Sequence, residues 1–232
     1  MTGVPPPRPS PPTRPSPPTR PEVAEDLRLP DTRAVLAWRF PGPRLALSSA
    51  PVGGGSAALD WLVNIGVTEG YGRTDLGAHA REVATRLGLT GTGATLLTAA
   101  DVRQAVDAED GGVVVDATVG VTKPTWAADA DDAHAVPGAQ GWVPGTINVV
   151  VQLPVALSAA AAVNAVITAT EAKAQALLEA GIPGTGTASD AVVVLWPPTV
   201  PAEAFAGPRS TWGARIARAV HAAVRRGLEV HP

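Results

Sequence analysis

Residues 113–121, 146–153 and 191–196 carry Val, Ile, Leu or Trp at neighbouring rather than alternate positions. A strand wetted on one face alternates, whereas a strand apolar on both faces has to be covered on both. Further runs at 34–40, 44–48 and 61–67, short and bounded by Gly or Pro, bring the predicted strands to six. Helical periodicity falls at 76–87, 99–108, 158–180 and 211–226. Thr98-Ala99-Ala100-Asp101 reads as an N-cap with an acid three residues on. Gly181 with Pro183 closes the third predicted helix, and Gly227 the fourth. The order β-β-β-α-α-β-β-α-β-α is mixed, which disfavours a uniform doubly wound parallel sheet. The prediction is a single α/β domain with a mixed β-sheet covered by helices. Its strands 113–121 and 146–153 could pair antiparallel across a long polar connection, and strand order is not read from the sequence.

A chain of 232 residues that is 45% hydrophobic supports one substantial core, or at most two small ones. It has no cysteine, which excludes a disulfide framework, a thiolate nucleophile and cysteine-ligated metal centres. No N-terminal segment has the basic-then-apolar pattern of a signal peptide. The longest apolar stretch, residues 155–169, is shorter than the ~20 residues that span a bilayer and contains Asn164. A cytoplasmic protein with no membrane partner is expected.

The first 21 residues are different material. Arg8-Pro9-Ser10-Pro11-Pro12-Thr13 repeats at once as Arg14-Pro15-Ser16-Pro17-Pro18-Thr19, with no bulky apolar residue after Val4. Such a segment cannot bury enough surface to offset its ordering entropy. It reads as a disordered tail or a PxxP ligand for a partner domain, leaving 22–232 as the folded body. The tail holds three of the 18 basic residues and no acid, so 15 basic face 21 acidic residues on the body, a net −6. With one Tyr and two Phe besides, nucleic acid is not an expected partner. Assembly with further copies of the chain stays open.

Several segments hold chemically useful groups. Gly53, Gly54 and Gly55 follow a predicted strand. They either aim their N–H groups at one point, as an anion nest or oxyanion hole, or form a plain strand-to-strand turn. No Lys-Ser/Thr follows them, so this is not a Walker loop. On the third helix Asn164, Thr168, Glu171 and Gln175 fall within about 60° of one another, and Lys173 points the other way. The stripe is either a site wall, with Glu171 as proton acceptor and Asn164 as an amide hydrogen-bonding group, or the wet face of an amphipathic helix. Gly184-Thr185-Gly186-Thr187-Ala188-Ser189-Asp190 sets hydroxyls and a carboxylate on glycine-freed backbone. These suit an amide, hydroxyl or phosphate ligand, or else cap an αβ connection. Asp129, Asp131, Asp132 and His134 lack the glycine and terminal glutamate of a calcium loop, so a solvated acidic loop is expected and no metal site. Arg215, Arg218 and Arg225 share one side of the last helix with His221 at its margin; that face meets a phosphate or stays solvated. His79 and His231 are expected at the surface.

Along the chain stand, in order, Ala46-Leu47-Ser48-Ser49-Ala50 with the glycines, Val63-Asn64, Tyr71, and Leu97-Thr98-Ala99-Ala100-Asp101-Val102. Ala117-Thr118-Val119-Gly120-Val121, Pro144-Gly145-Thr146-Ile147-Asn148-Val149-Val150-Val151 and the helical word from Val163 to Lys173 follow. The series ends with Gly184 to Val194, Phe205-Ala206-Gly207-Pro208 and Gly213 through His221. No single word is diagnostic, but in this order and spacing residues 45–228 resemble the adenosylcobinamide amidohydrolases.

The resemblance implies hydrolysis of the aminopropanol amide of adenosylcobinamide to adenosylcobyric acid and 1-aminopropan-2-ol, in cobalamin (vitamin B12) salvage. It implies a corrinoid as small-molecule partner and no cofactor of the protein's own, the cobalt being carried by the substrate. Amide hydrolysis needs an activated water or nucleophile, oxyanion stabilisation and protonation of the leaving amine. On this reading Glu171 or Asp190 activates a water, with the amides of Gly53, Gly54 and Gly55 or Asn64 as oxyanion donors. Thr146 or Ser49 is the alternative nucleophile, and Asn148, Asn164, Thr187 and His221 are expected to bind substrate. Trp61, Trp126, Trp142 and Trp212 line a wide site or serve as packing residues. Two features depart from the family pattern: Thr122-Lys123-Pro124-Thr125-Trp126 with the acidic insertion after it, and Ser189 where Thr is commoner. The rival reading is a non-catalytic corrinoid- or nucleotide-binding protein on the same fold, which would bind but release no aminopropanol.

Overall fold

The valine-rich strands are covered on both faces in the computed structural model, which describes residues 17–130, 145–199 and 201–230. In chain order its elements are β1 (Glu22–Glu25), β2 (Thr32–Ser48), β3 (Gly55–Val67), α1 (Leu76–Arg86), β4 (Gly93–Thr98), a 3-10 turn (Val102–Gln104), β5 (Val106–Asp110) and β6 (Val113–Val119). They continue with β7 (Ile147–Gln152), β8 (Ala156–Leu157), α2 (Ala159–Glu179), β9 (Ala191–Trp196), β10 (Ala202–Glu203) and α3 (Thr211–Val230). Among the described residues, eight strands form one mixed sheet in the order β4-β3-β2-β9-β7-β6-β5, with β1 against β2. The mixed α/β prediction holds, and β6 pairs antiparallel with β7 as expected.

The sheet folds over on itself, so that helix, sheet, sheet and helix are stacked. Val113, Val115, Val149, Val151, Val192 and Val194 face α2 and α3. Val150, Val193 and Leu195 on the opposite face meet Leu36, Trp38, Leu62 and Leu96 of β2, β3 and β4. The outer face of β2 and β3, with Val35, Ala37, Val63 and Ile65, packs on Val83 of α1. The turn between the two sheet layers is Phe40-Pro41-Gly42-Pro43. There the pairing of β2 with β3 jumps from Arg39↔Trp61 to Arg44↔Leu59, because the two prolines have no N–H for a ladder. Beyond this bulge β2 pairs with β9. The predicted strands 34–40 and 44–48 are therefore one strand that passes between layers.

Three further expectations change. The helix predicted over 99–108 is the 3-10 turn followed by β5. Asp101 accepts from the Arg103 N–H at 3.1 Å and also holds its guanidinium, which favours a turn over helix continuation. Gly111 and Gly112, both at positive φ, then fold β5 back onto β6. Thr98 ends β4, a strand that pairs parallel with β3, and its hydroxyl accepts from Ala100 N–H rather than capping a helix. Gly227 lies inside α3, where a Cβ would fall 2.4 Å from Val119 Cγ2, so its role is close helix–sheet approach. Gly181 does terminate α2, at φ 76°, with its N–H bonded to Leu178 O.

Residues 17–21, grouped with the tail on composition, lie on the body. Thr19 exchanges two hydrogen bonds of 2.9 Å with the Gln152 side chain, and Arg20 pairs with Asp107 at 2.7 Å. Residues 1–16, the rest of the predicted tail, lie outside the described residues, as do Asp131, Asp132, His134, Trp142 and His231. Among the described residues, no helix is long and apolar enough to cross a membrane.

Asp116 is buried between the sheet layers, accepting from Trp38 Nε1 at 3.1 Å and Gln152 Nε2 at 3.4 Å. Burial pushes its carboxyl up to about 6. The folded state therefore holds the proton more tightly than the unfolded chain, whose Asp titrates near about 3.9. The penalty for the buried charge is fully present above about pH 6 and vanishes below about pH 4. Asp116→Asn is expected to be more stable than the wild type by about 3 kcal/mol at pH 8, a gain that fades on acidification. Urea denaturation at pH 8 and pH 4 checks this; an equal effect at both would mean Asp116 does not carry the shift.

Candidate functional site

β7 and β9 begin, and β3 and β4 end, at the same edge of the fold, and a cleft of about 430 Å³ opens there. Ser49, Tyr71, Thr146, Asn148, Ser189 and Asp190 are among its lining residues. Parallel pairing of β7 with β9 sets Asn148 opposite Ala191, so the residues just before both strands stand side by side. The glycine–threonine turn thereby meets Thr146: the two hydroxyls of Thr146 and Ser189 are 2.8 Å apart. Ser189 donates in turn to Gly145 O at 3.4 Å, which leaves Thr146 as the donor between them.

Asp190 organises this floor. Its Oδ1 accepts from Ile147 N–H at 2.9 Å and from Thr187 Oγ1 at 2.5 Å. Its Oδ2 accepts from Thr187 N–H at 3.1 Å and from Lys173 Nζ. All four acceptor positions of the carboxylate are occupied. Gly186 makes room for the pair, since a Cβ there would meet Asp190 Oδ2 and Lys173 Nζ at 2.3 and 2.5 Å. The family-divergent loop at 122–126 lies against the same turn, with Thr125 N–H on Gly186 O and Thr185 N–H on Thr125 O, each 2.9 Å.

A chain of amides forms the inner wall. Asn148 Nδ2 donates to Asn64 Oδ1 and to Leu97 O, both at 3.0 Å, and Asn64 Nδ2 donates to Thr118 Oγ1 at 3.0 Å. Leu97 O is only an acceptor, so the Asn148 amide cannot be reversed. Asn148 is 2% exposed, and its Oδ1 is buried with no hydrogen-bond partner. A buried acceptor left unpaired is costly, and this one belongs to a residue that lines a cleft.

The outer wall carries Tyr71 and, behind it, His79. His79 is expected at the surface from sequence but is fully buried, because α1 turns this position onto β2. Its Nδ1 is 2.9 Å from Tyr71 Oη and its Nε2 is 2.7 Å from Thr32 Oγ1. Burial holds the phenol above its ordinary pKa and the imidazole below its own.

Of the residues singled out from sequence, Ser49, Thr146, Asn148 and Asp190 line the cleft. Asn64 and Thr187 hold those residues from behind. The others lie elsewhere. Glu171 is exposed on α2 and Asn164 is half-buried there, and neither lines the cleft. Thr168 is buried and donates to Ala206 O at 3.0 Å. His221 contacts Glu179 at 2.7 Å, between α3 and α2. Gly53, Gly54 and Gly55 form an exposed hairpin corner; a Cβ on Gly53 would fall 2.3 Å from Gly93 O. Trp61 packs over Gly93, Trp126 is 43% exposed, and Trp212 lies under the Arg215 guanidinium. Lys173, Tyr71 and His79 were not read as site residues. For Lys173 the signal was present: it is the one charged side chain on the alanine face of α2, beside Ala169, Ala172 and Ala176. Among the described residues, no group of three or more His, Cys, Asp or Glu is placed to hold a metal ion.

Comparison with known proteins gives this geometry a context. The family model described as adenosylcobinamide amidohydrolase matches residues 16–231. A Halobacterium salinarum protein named adenosylcobinamide amidohydrolase is 39% identical over 135 residues, 58% of this chain and 58% of its own length. A Methanosarcina mazei protein of the same name is 30% identical over 191 residues, 78% of this chain and 89% of that one. The match thus spans little more than half of the first relative and most of the second.

Proposed function

Because this chain belongs to the adenosylcobinamide amidohydrolase family, we propose that it hydrolyses the aminopropanol amide of adenosylcobinamide to adenosylcobyric acid and 1-aminopropan-2-ol. The observation that carries the reading to this cleft is the unpartnered Asn148 Oδ1. An amide substrate brings an N–H donor, and a buried acceptor of fixed orientation is what an N–H completes. We place the substrate N–H on Asn148, which leaves its carbonyl for the Thr146 and Ser189 hydroxyls of the same cleft. We assign Thr146 Oγ1 as the oxygen that attacks the carbonyl carbon. Asp190 is a positioning residue, since taking a proton would require it to give up one of its four donors. Glu171, exposed on α2, is not part of this assignment.

A cleft of about 430 Å³ accommodates the amide arm, and the corrin ring stays at its mouth. Cobalt enters only as part of the substrate. A cytoplasmic setting suits such a salvage reaction, and the acidic body supports no nucleic-acid role.

The direct test is mass spectrometry of the purified protein incubated with adenosylcobinamide. Equal amounts of free aminopropanol and adenosylcobyric acid are expected. Asn148→Ala is expected to lower kcat/KM by about 10–100-fold, the cost of one buried hydrogen bond at ~1.5–3 kcal/mol. Tight corrinoid binding without product would favour a binding protein over an enzyme.

A further inference from the structure

Thr146, Asn148 and Asp190 leave the departing amine without a proton source, and amines do not leave as anions. We infer that Tyr71 is a catalytic residue that protonates the leaving nitrogen, with His79 and Thr32 as the positioning relay behind it. The inference rests on the amidohydrolase reading of the cleft. Tyr71 lines the same cleft as Thr146 and Asn148. Its hydroxyl does not end in solvent: it meets His79 Nδ1 at 2.9 Å, and the His79 ring is stacked on the phenol with centroids 5.6 Å apart. His79 is fully buried, and its other nitrogen meets Thr32 Oγ1 at 2.7 Å.

This chain supports two proton arrangements. With Thr32 donating to Pro30 O at 3.3 Å, His79 carries its proton on Nε2, and the phenol donates to Nδ1. When the Thr32 hydroxyl turns onto Nε2, His79 carries its proton on Nδ1 and donates to the phenol oxygen, so the phenol proton faces the cleft. Both arrangements keep the ring neutral, as its burial and the nearby Arg73 favour. Asp31, Asp75 and Glu82 oppose that effect more weakly. The second arrangement suits a general acid, because a developing phenolate would be met by an N–H donor.

The step balances without a further reagent. As the Thr146 Oγ1–carbon bond forms and the carbon–nitrogen bond breaks, the bonding pair stays on nitrogen, which takes the Tyr71 proton. The proton released by Thr146 leaves through the Ser189 hydroxyl, 2.8 Å away, to water in the cleft, and the phenolate regains its proton from that water. Water then cleaves the acyl–oxygen bond, giving the carboxylic acid and returning a hydrogen to Thr146.

The test uses the full-length protein and two substrates, the natural amide and the p-nitrophenyl ester of the same acid. Nitrophenolate leaves without taking a proton. Tyr71→Phe is expected to lower kcat on the natural amide by about 10²–10³-fold, with KM nearly unchanged, and the loss on the ester should shrink to less than about fivefold. His79→Gln should move the ionisation of Tyr71, which absorbance near 295 nm reads cleanly because the chain has a single tyrosine. An equal loss on both substrates with unchanged melting temperature, or no loss on either, would overturn the assignment. A phenol ionisation unmoved in His79→Gln would overturn the relay. A wild-type protein inactive on both substrates would overturn the amidohydrolase reading, and this assignment with it.

Discussion

Replacing Lys173 with Met is expected to destabilise the fold by about 3–5 kcal/mol, a drop in melting temperature of roughly 10 °C for a chain of this size. The ion pair with Asp190 is almost dry, the two side chains being 8% and 10% exposed. Losing one partner of such a pair leaves an uncompensated charge, which costs far more than an exposed pair contributes. Three donors remain on Asp190, from Ile147 and Thr187. They do not neutralise its charge. Because those donors tie the turn before β9 to the start of β7, catalysis is expected to fall with stability. The double variant Lys173→Met with Asp190→Asn should be less damaged than the two single losses sum to, with a coupling of about 1–3 kcal/mol. Thermal and urea unfolding of the four proteins closes the cycle. A change in Lys173→Met of under 2 °C, or additive losses, would mean that the pair is not formed in solution.

What the sequence could and could not disclose follows from the physics of each element. Runs such as Val149-Val150-Val151 announced strands buried on both faces, because continuous apolarity needs two cores whatever the topology. The Gly181 terminus of α2 was equally local and equally readable. The 99–108 segment misled because its alanines favour helix, while the Asp101–Arg103 contact and the pairing of β5 with β6 decide otherwise. β2 looked like two strands because Pro41 and Pro43 interrupt the pattern; that one chain continues through them depends on both layers existing. At the site, hydroxyls and Asp190 were legible as a glycine–threonine turn. The polar stripe on α2 was the conspicuous clue, yet the informative residue was Lys173 on the opposite, alanine-rich face. A polar residue among buried positions carries more information than a polar face, which water alone explains. Tyr71, His79 and Thr32 come together only through the packing of α1 on β2, a contact with no local pattern.

Thr146→Ala is expected to lower kcat by about 10³–10⁵-fold, with little change in stability. Thr146 and Ser49 were both plausible nucleophiles on residue type, and their surroundings separate them. Ser49 is exposed, and its Oγ accepts the Val192 N–H at 3.0 Å, a contact that ties the end of β2 to β9. Its loss should cost binding or local order, and Ser49→Ala should retain activity within about tenfold. Thr146 is 4% exposed and hands its proton to Ser189 at 2.8 Å, leaving its lone pairs for the cleft. It also stands immediately before β7, two residues from Asn148 in that strand, so the group assigned to the amide N–H and the group assigned to the carbonyl are adjacent along one stretch of chain. Thr146→Ser keeps the hydroxyl and should recover most of the rate. A covalent route also predicts an acyl-protein species heavier by the cobyric acyl group, which rapid quench and intact-mass analysis detect in wild type and Thr146→Ser but not in Thr146→Ala. If Thr146→Ala kept a tenth or more of the rate and no adduct formed in any variant, the attacking oxygen would belong to a water held by Ser189. Thr146 would then be a positioning residue, like its neighbour Asp190.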